Sequence, residues 1–357
     1  MTIGGREIGA ERPVLVIAEI GVNHDGSVET ALALVAAAAK AGADAVKLQV
    51  FTAERLLHPS ARFANYQSDR TTAVDPAAML RRYELADEAL SVIVAAIRDA
   101  GLIPIATPFS PADVDRVVAI GAAAIKIASP DLVNKVLLGR ACATRLPMIL
   151  STGAAARAEI DAAVEWLRLR AANLSLLHCV SSYPTSPAET NLRWIVDLAR
   201  FGLPVGYSDH STELIAGALA IASGASIIEK HLTYDTSAAG PDHSASFDPG
   251  QFAEYVKLIR LAEQMRGSAT RHVLDCENDV RSVSHQSLVA ARTIDKGTAI
   301  THADLTCQRP GDGISAWELD AIVGRRAAVR IEAGALLSQA ALSPAMLDSS
   351  SEAGNAR

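Results

Sequence analysis

Between residues 13 and 266, short apolar segments rich in Val, Ile and Leu alternate with Ala-rich segments of helical periodicity. The apolar segments lie at about 14–20, 44–50, 102–107, 123–129, 147–152, 174–180, 204–209 and 225–231. The helical segments follow them at about 28–41, 86–100, 111–120, 132–144, 156–169, 189–200, 212–223 and 249–265. Continuous apolar strands that alternate with helices indicate a parallel sheet whose faces are covered by those helices.

The sequence therefore predicts an α/β fold built from eight strand–helix units. The length of the span is close to the roughly 250 residues typical of a closed (β/α)8 TIM barrel, which is the fold that we expect for residues 13–266. A doubly wound open sheet is the competing fold. Its dinucleotide-binding form is disfavoured, because no Gly-x-Gly-x-x-Gly motif follows the first predicted strand.

After Gly267 the pattern changes. Residues 267–284 are polar and lack clear periodicity, which indicates a linker. Residues 285–342 contain short strand-like segments at 287–291, 328–331 and 335–337, with Gly-containing turn signals between them, and we expect a small mixed-β domain there. Residues 343–357 are rich in Ser, Ala and Asn, which predicts a disordered tail.

The composition excludes several classes of protein. The 357-residue chain has a net charge of −7 and no basic tract, which argues against nucleic-acid binding. No apolar segment is long enough to span a bilayer, and the N-terminus lacks a signal-peptide pattern. The four cysteines are far apart in sequence, so no zinc knuckle or CxxC motif is available, and we expect a cytoplasmic protein.

Polar or charged residues end every predicted strand, and in TIM barrels the catalytic groups come from those carboxyl ends. Charged side chains inside a sheet are costly unless they are paired or bind a ligand. The strand ends therefore predict an active site. In chain order they supply Glu19; Lys47 and Gln49; Thr107 and Phe109; Lys126 and Ser129; Ser151, Thr152 and Gly153; His178, Ser181, Ser182 and Tyr183; Ser208, Asp209 and His210; and Glu229 and His231.

His210 and His231 end the seventh and eighth predicted strands. Neutral imidazole is the commonest protein ligand for a divalent metal ion, and consecutive strand ends can share one ion. Without a thiolate, a closed tetrahedral zinc site is disfavoured, whereas two imidazoles with water and substrate oxygens suit Mn²⁺ or another borderline cation. Asp209 is either a third ligand or a group that orients the ligands, and the sequence leaves both roles open.

Lys47 and Lys126 lie inside predicted strands, where two ammonium groups that face one cavity repel each other unless an anion lies between them. Nearby Ser and Thr hydroxyl groups would complete such an anion site. The alternative is that each lysine pairs with a carboxylate, either Glu19 or Glu229. Schiff-base chemistry of the class I aldolase type is a further alternative, because a desolvated barrel lysine such as Lys126 is nucleophilic.

Ten short motifs, in order along the chain, resemble those of the N-acetylneuraminate (sialic acid) synthase family. The resemblance covers about residues 14–342, and the C-terminal part is similar to the antifreeze-like (SAF) domain of these enzymes. The motifs are AEIGVNHDG at 18–26, VKLQ at 46–49, ATPFS at 106–110, IKIAS at 125–129, ILSTG at 149–153, HCVSSYP at 178–184, GYSDH at 206–210, EKH at 229–231, GPDH at 240–243 and QRPG at 308–311.

The resemblance implies an enzyme that condenses phosphoenolpyruvate with the open-chain aldehyde of an N-acetylated amino sugar. It assigns a divalent metal, Mn²⁺ with Mg²⁺ or Co²⁺ as substitutes, to His210 and His231. It assigns proton transfer to Glu19 or Glu229. The implied phosphoenolpyruvate site comprises Lys47, Thr107, Lys126, Ser129, Ser151, Ser181 and Ser208. The implied sugar contacts are Gln49, Phe109, Tyr183, Asp242 and Arg309, with Glu19 among them.

The resemblance also implies a mechanism and an assembly. The metal polarises the aldehyde, the methylene carbon of phosphoenolpyruvate attacks it, water adds to the enol ether carbon, and phosphate leaves by C–O cleavage. The product is a nine-carbon 2-keto acid. Arg309 would reach the barrel of a partner subunit and contact the N-acetyl group, which implies a domain-swapped homodimer.

Three alternatives remain open at this point. N-acetylmannosamine is the default acceptor, but legionaminate and pseudaminate synthases share the core motifs and use 2,4-diacetamido-6-deoxy hexoses. The insertions at 52–83 and 232–248 would carry that choice, because long loops above the strand ends shape the pocket. A Schiff-base aldolase is a more distant alternative. A carbohydrate-binding protein without catalytic activity is disfavoured by the many polar strand ends.

Overall fold

The computed structural model describes residues 1–64, 73–171 and 173–344. The chain divides into two compact units, Met1–Ser268 and Ala269–Arg357. The predicted tail at 343–357 lies almost entirely beyond the described residues, as does part of the insertion at 52–83. No helix among the described residues is long and apolar enough to cross a membrane.

The first unit contains a closed barrel of eight parallel strands, which confirms the predicted TIM-type fold. Neighbouring strands follow one another in the chain, and the last strand pairs with the first through residues 227–231 and 15–19. The barrel strands are β3 (Leu15–Glu19), β4 (Ala45–Val50), β5 (Ile103–Pro108), β6 (Ala124–Ile127), β7 (Met148–Ser151), β8 (Leu174–Cys179), β9 (Val205–Asp209) and β10 (Ile227–His231).

Helices connect the strands, and several of them begin at a residue whose side chain caps the helix. The hydroxyl of Ser27 accepts the backbone N–H of Thr30 at the start of the first long helix, which ends at Gly42 with φ of 84°. The described residues of the first unit form the helices α1 (Val28–Ala41), α2 (Ala53–Leu56), α3 (Pro76–Arg81), α4 (Asp87–Asp99), α5 (Pro111–Ala119), α6 (Lys135–Ala143), α7 (Arg157–Arg168), α8 (Arg193–Leu198), α9 (Ala216–Ala222) and α10 (Pro249–Arg266).

Three helices are shorter than predicted. The segment predicted at 132–144 begins with a 3₁₀ turn at Ser129–Val133, and Asn134 then caps α6 by accepting the N–H of Leu137. The segment predicted at 189–200 contains α8 followed by a 3₁₀ turn at Ala199–Phe201, and the segment predicted at 212–223 contains α9. Helical periodicity continues through such turns, so the sequence pattern did not mark these boundaries.

Alternate residues of each barrel strand face opposite sides, as the two-residue period of a strand requires. Leu15 and Ile17 belong to a small cluster that fills the amino-terminal half of the barrel, whereas Val16 and Ala18 pack in the large cluster beneath the helices. Glu19 continues the inward series. The same alternation turns polar residues of the other strands, such as Lys47, Thr107 and Glu229, into the barrel.

A hairpin that the sequence pattern did not predict covers the amino-terminal end of the barrel. Strands β1 (Thr2–Ile3) and β2 (Arg6–Glu7) are joined by Gly4 and Gly5, whose φ values of 55° and 84° suit a two-residue hairpin turn. Ile3 and Ile8 pack in the inner cluster of the barrel. Strands of two residues are too short to show alternation, so only the structure reveals them.

The second unit has its own apolar core, formed by residues such as Leu288, Ile300 and Leu337. Its antiparallel pair is β11 (Ser287–Ala290) and β12 (Leu305–Gln308), with helices α11 (Asn278–Ser284) and α12 (Leu319–Ile322). The strands predicted at 328–331 and 335–337 are wrong, because Ile331 and Leu336 form only isolated bridges. Strand β12 was missed, since its side chains are largely exposed. The segment predicted as a linker contains α11.

Candidate active site

The carboxyl ends of the barrel strands surround a cavity of about 440 Å³. Glu19 is fully buried and contacts two of the lining residues. Arg309 lies in the second unit, where it is exposed at the end of β12. The predicted site residues that line the cavity are Lys47, Gln49, Thr107, Phe109, Lys126, Ser129, Ser151, Ser181, Tyr183, Ser208, His210, Glu229, His231 and Asp242.

Charged side chains form a buried network on one side of the cavity. Lys47 Nζ lies 2.7 Å from Glu19 Oε2 and 3.4 Å from Glu229 Oε1, and it donates a 3.3 Å hydrogen bond to Thr107 Oγ1. Lys126 Nζ lies 3.8 Å from Glu229 Oε2. The carboxylate pairing that the sequence left as an alternative is therefore present, and the two ammonium groups share Glu229.

Burial and pairing shift the pKa values of this network. Burial lowers the pKa of Lys47 to about 8, although the negative charge of Glu229 opposes the shift. Burial alone would raise the pKa of Glu229, but Lys126 and Lys47 outweigh it and lower that pKa to about 2. Glu229 is therefore ionised at neutral pH, whereas Lys47 titrates close to the physiological range.

Hydroxyl groups line the next part of the cavity. Ser208 donates a 2.9 Å hydrogen bond to Glu229 Oε1, and Ser129 accepts a 3.0 Å hydrogen bond from the backbone N–H of Gly153. The Ser151 hydroxyl is buried and has no hydrogen-bond partner. An unsatisfied buried hydroxyl is costly, so this oxygen indicates a position that a polar ligand would occupy.

Gly153 leaves space between these hydroxyl groups. A Cβ atom at Gly153 would lie 2.5 Å from Ser181 Oγ, 2.8 Å from Ser129 Oγ and 3.0 Å from Cys179 Sγ. No side chain larger than hydrogen fits without displacing them. The polar groups thus converge on a small space next to the backbone of Gly153, which suits the close approach of an anion.

The two predicted metal ligands lie side by side. The ring centroids of His210 and His231 are 5.4 Å apart, with 58° between the ring planes. His210 Nδ1 is 2.8 Å from the carbonyl oxygen of Val180, which only accepts, so Nδ1 carries a hydrogen and Nε2 is the nitrogen that could bind a cation. His231 Nδ1 is buried without a hydrogen-bond partner and lies 3.6 Å from Asp242 Oδ2.

These residues fit an open metal site. Burial lowers the pKa of His231 well below its ordinary value, so its imidazole is neutral, as a ligand must be. Within the ranges that the structure describes, no group of three or more His, Cys, Asp or Glu side chains could hold a metal ion. Any cation bound by His210 and His231 would take its other ligands from water or substrate.

Two polar residues at strand ends face away from the cavity. His178 donates to the carbonyl oxygen of Thr190 at 2.7 Å and stacks on Tyr207. Asp209 Oδ1 accepts hydrogen bonds from the N–H and hydroxyl of Ser211, and Oδ2 accepts from Tyr255 at 2.8 Å. Both Asp209 oxygens are thus engaged outside the barrel, so Asp209 is not placed to bind a cation in the cavity.

Sequence reasoning missed an apolar wall and a thiol. Cys179 lines the cavity, with Sγ 3.7 Å from His210 Nδ1. Counting by two from the inward Leu177 would have placed it there. The wall comes from the loops after β3 and β4 and from the insertion, whose positions the sequence pattern does not reveal. Its lining residues are Val22, Phe51, Leu56, Leu57 and Leu80, beside Phe109.

Comparison with known proteins identifies the family. Residues 34–271 match the NeuB family model, and residues 285–343 match the SAF domain model. The chain belongs to the NeuB family. It is 36% identical to the N,N'-diacetyllegionaminic acid synthase of Legionella pneumophila, over 92% of this chain and 94% of that protein. This NeuB-family chain is therefore an enzyme of the synthase type.

Relatives with lower identity also match most of the chain. The human N-acetylneuraminate-9-phosphate synthase is 29% identical over 92% of this chain and 92% of its own. A solved structure of N-acetylneuraminic acid (sialic acid) synthetase from Leptospira borgpetersenii, in complex with citrate, is 33% identical. It has a TM-score of 0.71 and covers 78% of this chain and 94% of that chain. The named products differ among these relatives.

Proposed function

We propose that this NeuB-family enzyme condenses phosphoenolpyruvate with an N-acetylated hexose to give a nine-carbon sialic acid and phosphate. One observation carries the proposal: two buried lysines and a ring of hydroxyls line the same 440 Å³ cavity as a pair of histidines. A doubly anionic donor matches the lysines and hydroxyls. A carbonyl acceptor matches the histidine side, where Tyr183 and Asp242 also lie.

Phosphoenolpyruvate, the donor substrate, would lie between Lys47 and Lys126. Its anionic groups would replace part of the ion pairing between these lysines and Glu229. The hydroxyl groups around Gly153 would donate to the donor oxygens, and the buried Ser151 hydroxyl would gain the partner that it lacks. Hydrogen-bond donors that are already oriented in a buried cavity are effective, because they need no rearrangement when charge develops on the substrate.

The acceptor would lie towards His210 and His231. These two imidazoles would hold a divalent cation, for which we propose Mn²⁺, and the cation would supply Lewis acidity at a carbonyl oxygen. Tyr183 packs over His210 with ring centroids 4.0 Å apart and restricts where the sugar chain can lie. Asp242 lies next to His231 and offers carboxylate oxygens to the hydroxyl groups of the sugar. Gln49, which donates to Glu19 at 3.2 Å, offers its amide to them.

The chemistry follows from the charges in the cavity. A carbon–carbon bond forms between the donor methylene and the aldehyde carbon, and positive character develops at the enol ether carbon. Glu229 is ionised and stabilises that charge. Water adds to this carbon and gives one proton to Glu229 or Glu19. The hydroxyl of the tetrahedral intermediate then becomes the keto group, as the C–O bond to phosphate breaks and the hydroxyl proton passes to the departing phosphate. Lys47, with a pKa of about 8, is able to donate a proton to the new alkoxide.

The apolar wall favours a second candidate acceptor, a 2,4-diacetamido-6-deoxy hexose, over N-acetylmannosamine. Val22, Leu56, Leu57 and Leu80 line the cavity mouth. A methyl group gains from contact with such a wall, whereas a hydroxyl loses water there without a partner. The legionaminic acid synthase is also among the relatives with the higher identity, at 36%.

Assembly remains part of the proposal. Arg309, from the second unit, would contact the N-acetyl group in a partner subunit's barrel, giving a domain-swapped homodimer. Such an arrangement would explain why an exposed arginine follows β12 in a chain whose catalytic barrel is a separate unit. A cytoplasmic location agrees with the use of phosphoenolpyruvate.

Phosphate release tests the function. Purified enzyme with phosphoenolpyruvate and Mn²⁺ is offered N-acetylmannosamine, its 6-phosphate, or a 2,4-diacetamido-2,4,6-trideoxy hexose. Acceptor-dependent phosphate release is expected, fastest with the deoxy sugar. Release with none of the three would contradict the function. Borohydride trapping serves as the control for the aldolase alternative, because an adduct on Lys126 would indicate a Schiff base and not the proposed reaction.

A further inference from the structure

Lys230 is a fully buried cation that the proposed reaction does not use. It lies on β10 between Glu229 and His231, so strand alternation turns it away from the cavity towards the helices. Its ammonium group donates to the carbonyl oxygens of Asp209 at 3.3 Å and Ala245 at 3.1 Å, and also to that of Ser211. Three backbone carbonyls therefore satisfy its three donors.

Two further contacts compensate the charge of Lys230. Asp209 Oδ2 lies 4.0 Å from the Nζ atom, and the ring of Phe247 lies 4.2 Å from it. Asp209 is itself held by Ser211 and by the hydroxyl of Tyr255 on α10. A buried ammonium group is tolerated only when it is paired and hydrogen-bonded in this way.

The carbonyls that Lys230 holds belong to the segments that carry the candidate site residues. Asp209 and Ser211 flank His210 on either side. Ala245 follows Asp242 in the loop after β10, and the N–H of Phe247 in that loop donates to the carbonyl of His231 at 3.0 Å. One ammonium group thus ties the end of β9, the end of β10 and the loop after β10 together.

We propose that Lys230 is a positioning residue, which fixes His210 and His231 at the spacing that a shared divalent cation requires. The inference rests on the metal site of the proposed function. Lys230 contacts neither the cation nor the substrates, and acts by holding the backbone of both ligand segments. Loss of the three hydrogen bonds would free these segments to separate, so the site would bind the cation more weakly even where the barrel still folds.

The test compares two variants of the same outward face of β10 in the full-length protein without substrates. Lys230→Met removes the ammonium group at similar length. Ile228→Ala is the matched control, because Ile228 is fully buried in the large cluster beneath the helices and its loss destabilises the same interface without touching the three carbonyls. Mn²⁺ affinity is measured from the loss of the free-ion electron paramagnetic resonance signal, and stability is measured by urea unfolding.

Lys230→Met is expected to raise the Mn²⁺ dissociation constant about 10- to 100-fold, as is usual when outer partners of metal ligands are removed. Ile228→Ala is expected to lower stability but to change the dissociation constant by less than about twofold. Equal losses of affinity in the two variants would overturn the inference and leave Lys230 with a purely structural role. No Mn²⁺ binding by the unmodified enzyme would contradict the metal site itself and, with it, the role of Lys230.

If Lys230→Met does not fold, Lys230→Gln gives the answer. A glutamine amide offers only two N–H donors for the three carbonyls and removes the charge. The inference expects a several-fold weaker Mn²⁺ affinity with retained folding. An unchanged affinity in a folded Lys230→Gln enzyme would overturn it.

Discussion

Lys47 and Glu19 occupy paired positions on neighbouring strands β4 and β3, and their Nζ and Oε2 atoms are 2.7 Å apart. Both side chains are buried, and the same Lys47 also lies 3.4 Å from Glu229. A single ammonium group thus compensates two carboxylates in a cavity proposed to bind an anion. Stability and the proposed binding of the anion would therefore depend on the same side chain.

Replacement of Lys47 by Met is expected to affect both properties. The change leaves two buried carboxylates short of a partner, which costs on the order of 3–5 kcal/mol of unfolding free energy. It also removes one cation from the donor site, so the KM for phosphoenolpyruvate rises sharply. Urea unfolding and phosphate release measure the two effects. Lys257→Met, on an exposed helical face, is the control and should change neither; a fully active Lys47→Met enzyme contradicts the anion site.

The pKa of Lys47 predicts an alkaline limit to donor binding. Its pKa is lowered to about 8, so the ammonium group is charged below that pH and loses its charge above it. Because only the charged form attracts the anionic donor, kcat/KM for phosphoenolpyruvate should be level below pH 8 and fall about tenfold per pH unit above it. In an active Lys47→Arg enzyme, the fall in kcat/KM should move to higher pH. A fall at the same pH in that variant would assign the titration to another group.

Loss of either histidine is expected to abolish turnover without unfolding the barrel. His210→Ala and His231→Ala each remove one of the two proposed protein ligands, which should lower kcat/KM at least about 100-fold. Treatment with EDTA should have the same effect on the unmodified enzyme, and Mn²⁺ should reverse it. His178→Phe is a useful comparison, because His178 faces the helices. Metal-independent turnover in the double variant would refute the site.

Gly153 provides a test of the hydroxyl ring. Gly153→Ala places a Cβ atom 2.5 Å from Ser181 Oγ. Such overpacking costs roughly 1–3 kcal/mol. If the displaced hydroxyls carry that cost in donor binding, it corresponds to about a 5- to 160-fold higher KM for phosphoenolpyruvate. Gly139→Ala is the matched control: it lies on α6, and the nearest atom to its Cβ is 3.9 Å away, so it should be neutral or slightly stabilising. Equal kinetics in the two variants would exclude Gly153 from the donor site.

Arg309 tests the contribution of the second unit. Arg309→Ala should raise the KM for the sugar and leave the KM for phosphoenolpyruvate within about twofold, because only the N-acetyl contact is removed. Steady-state phosphate release with each substrate varied in turn separates the two effects. Arg330→Ala, an exposed arginine of the same unit, serves as the reference. An Arg309→Ala enzyme with unchanged sugar kinetics would contradict the proposed contact.

The barrel was predictable because its strands are buried on both faces and read as continuous apolar segments. All eight appear within two residues of their predicted bounds. The polar strand ends predicted the site but did not separate inward from outward residues. The two-residue period of a strand could have settled Asp209, since neighbours such as Asp209 and His210 cannot both face the cavity. Lateral contacts between strands, such as the Lys47–Glu19 pair, depend on register and were left as alternatives.

Other parts of the molecule were not predictable for physical reasons. Strand β12 has largely exposed side chains, so no hydrophobic pattern marks it. The apolar wall combines Val22 after β3 with Leu56 and Leu80 from the insertion, and such loops have no periodicity. Lys230 resembled the other barrel lysines in sequence. Its role is visible only from the three carbonyls around it, which come from distant positions in the chain.

The small hairpin formed by β1 and β2 has a consequence for substrate entry and product release. Because Ile3 and Ile8 pack into the amino-terminal end of the barrel, molecules enter and leave the cavity at the carboxyl ends of the strands. A molecule that binds at the bottom of the cavity must therefore bind before, and leave after, a molecule that binds nearer the rim. A product that lingers near the rim would therefore delay the next turnover, whatever the speed of bond making beneath it.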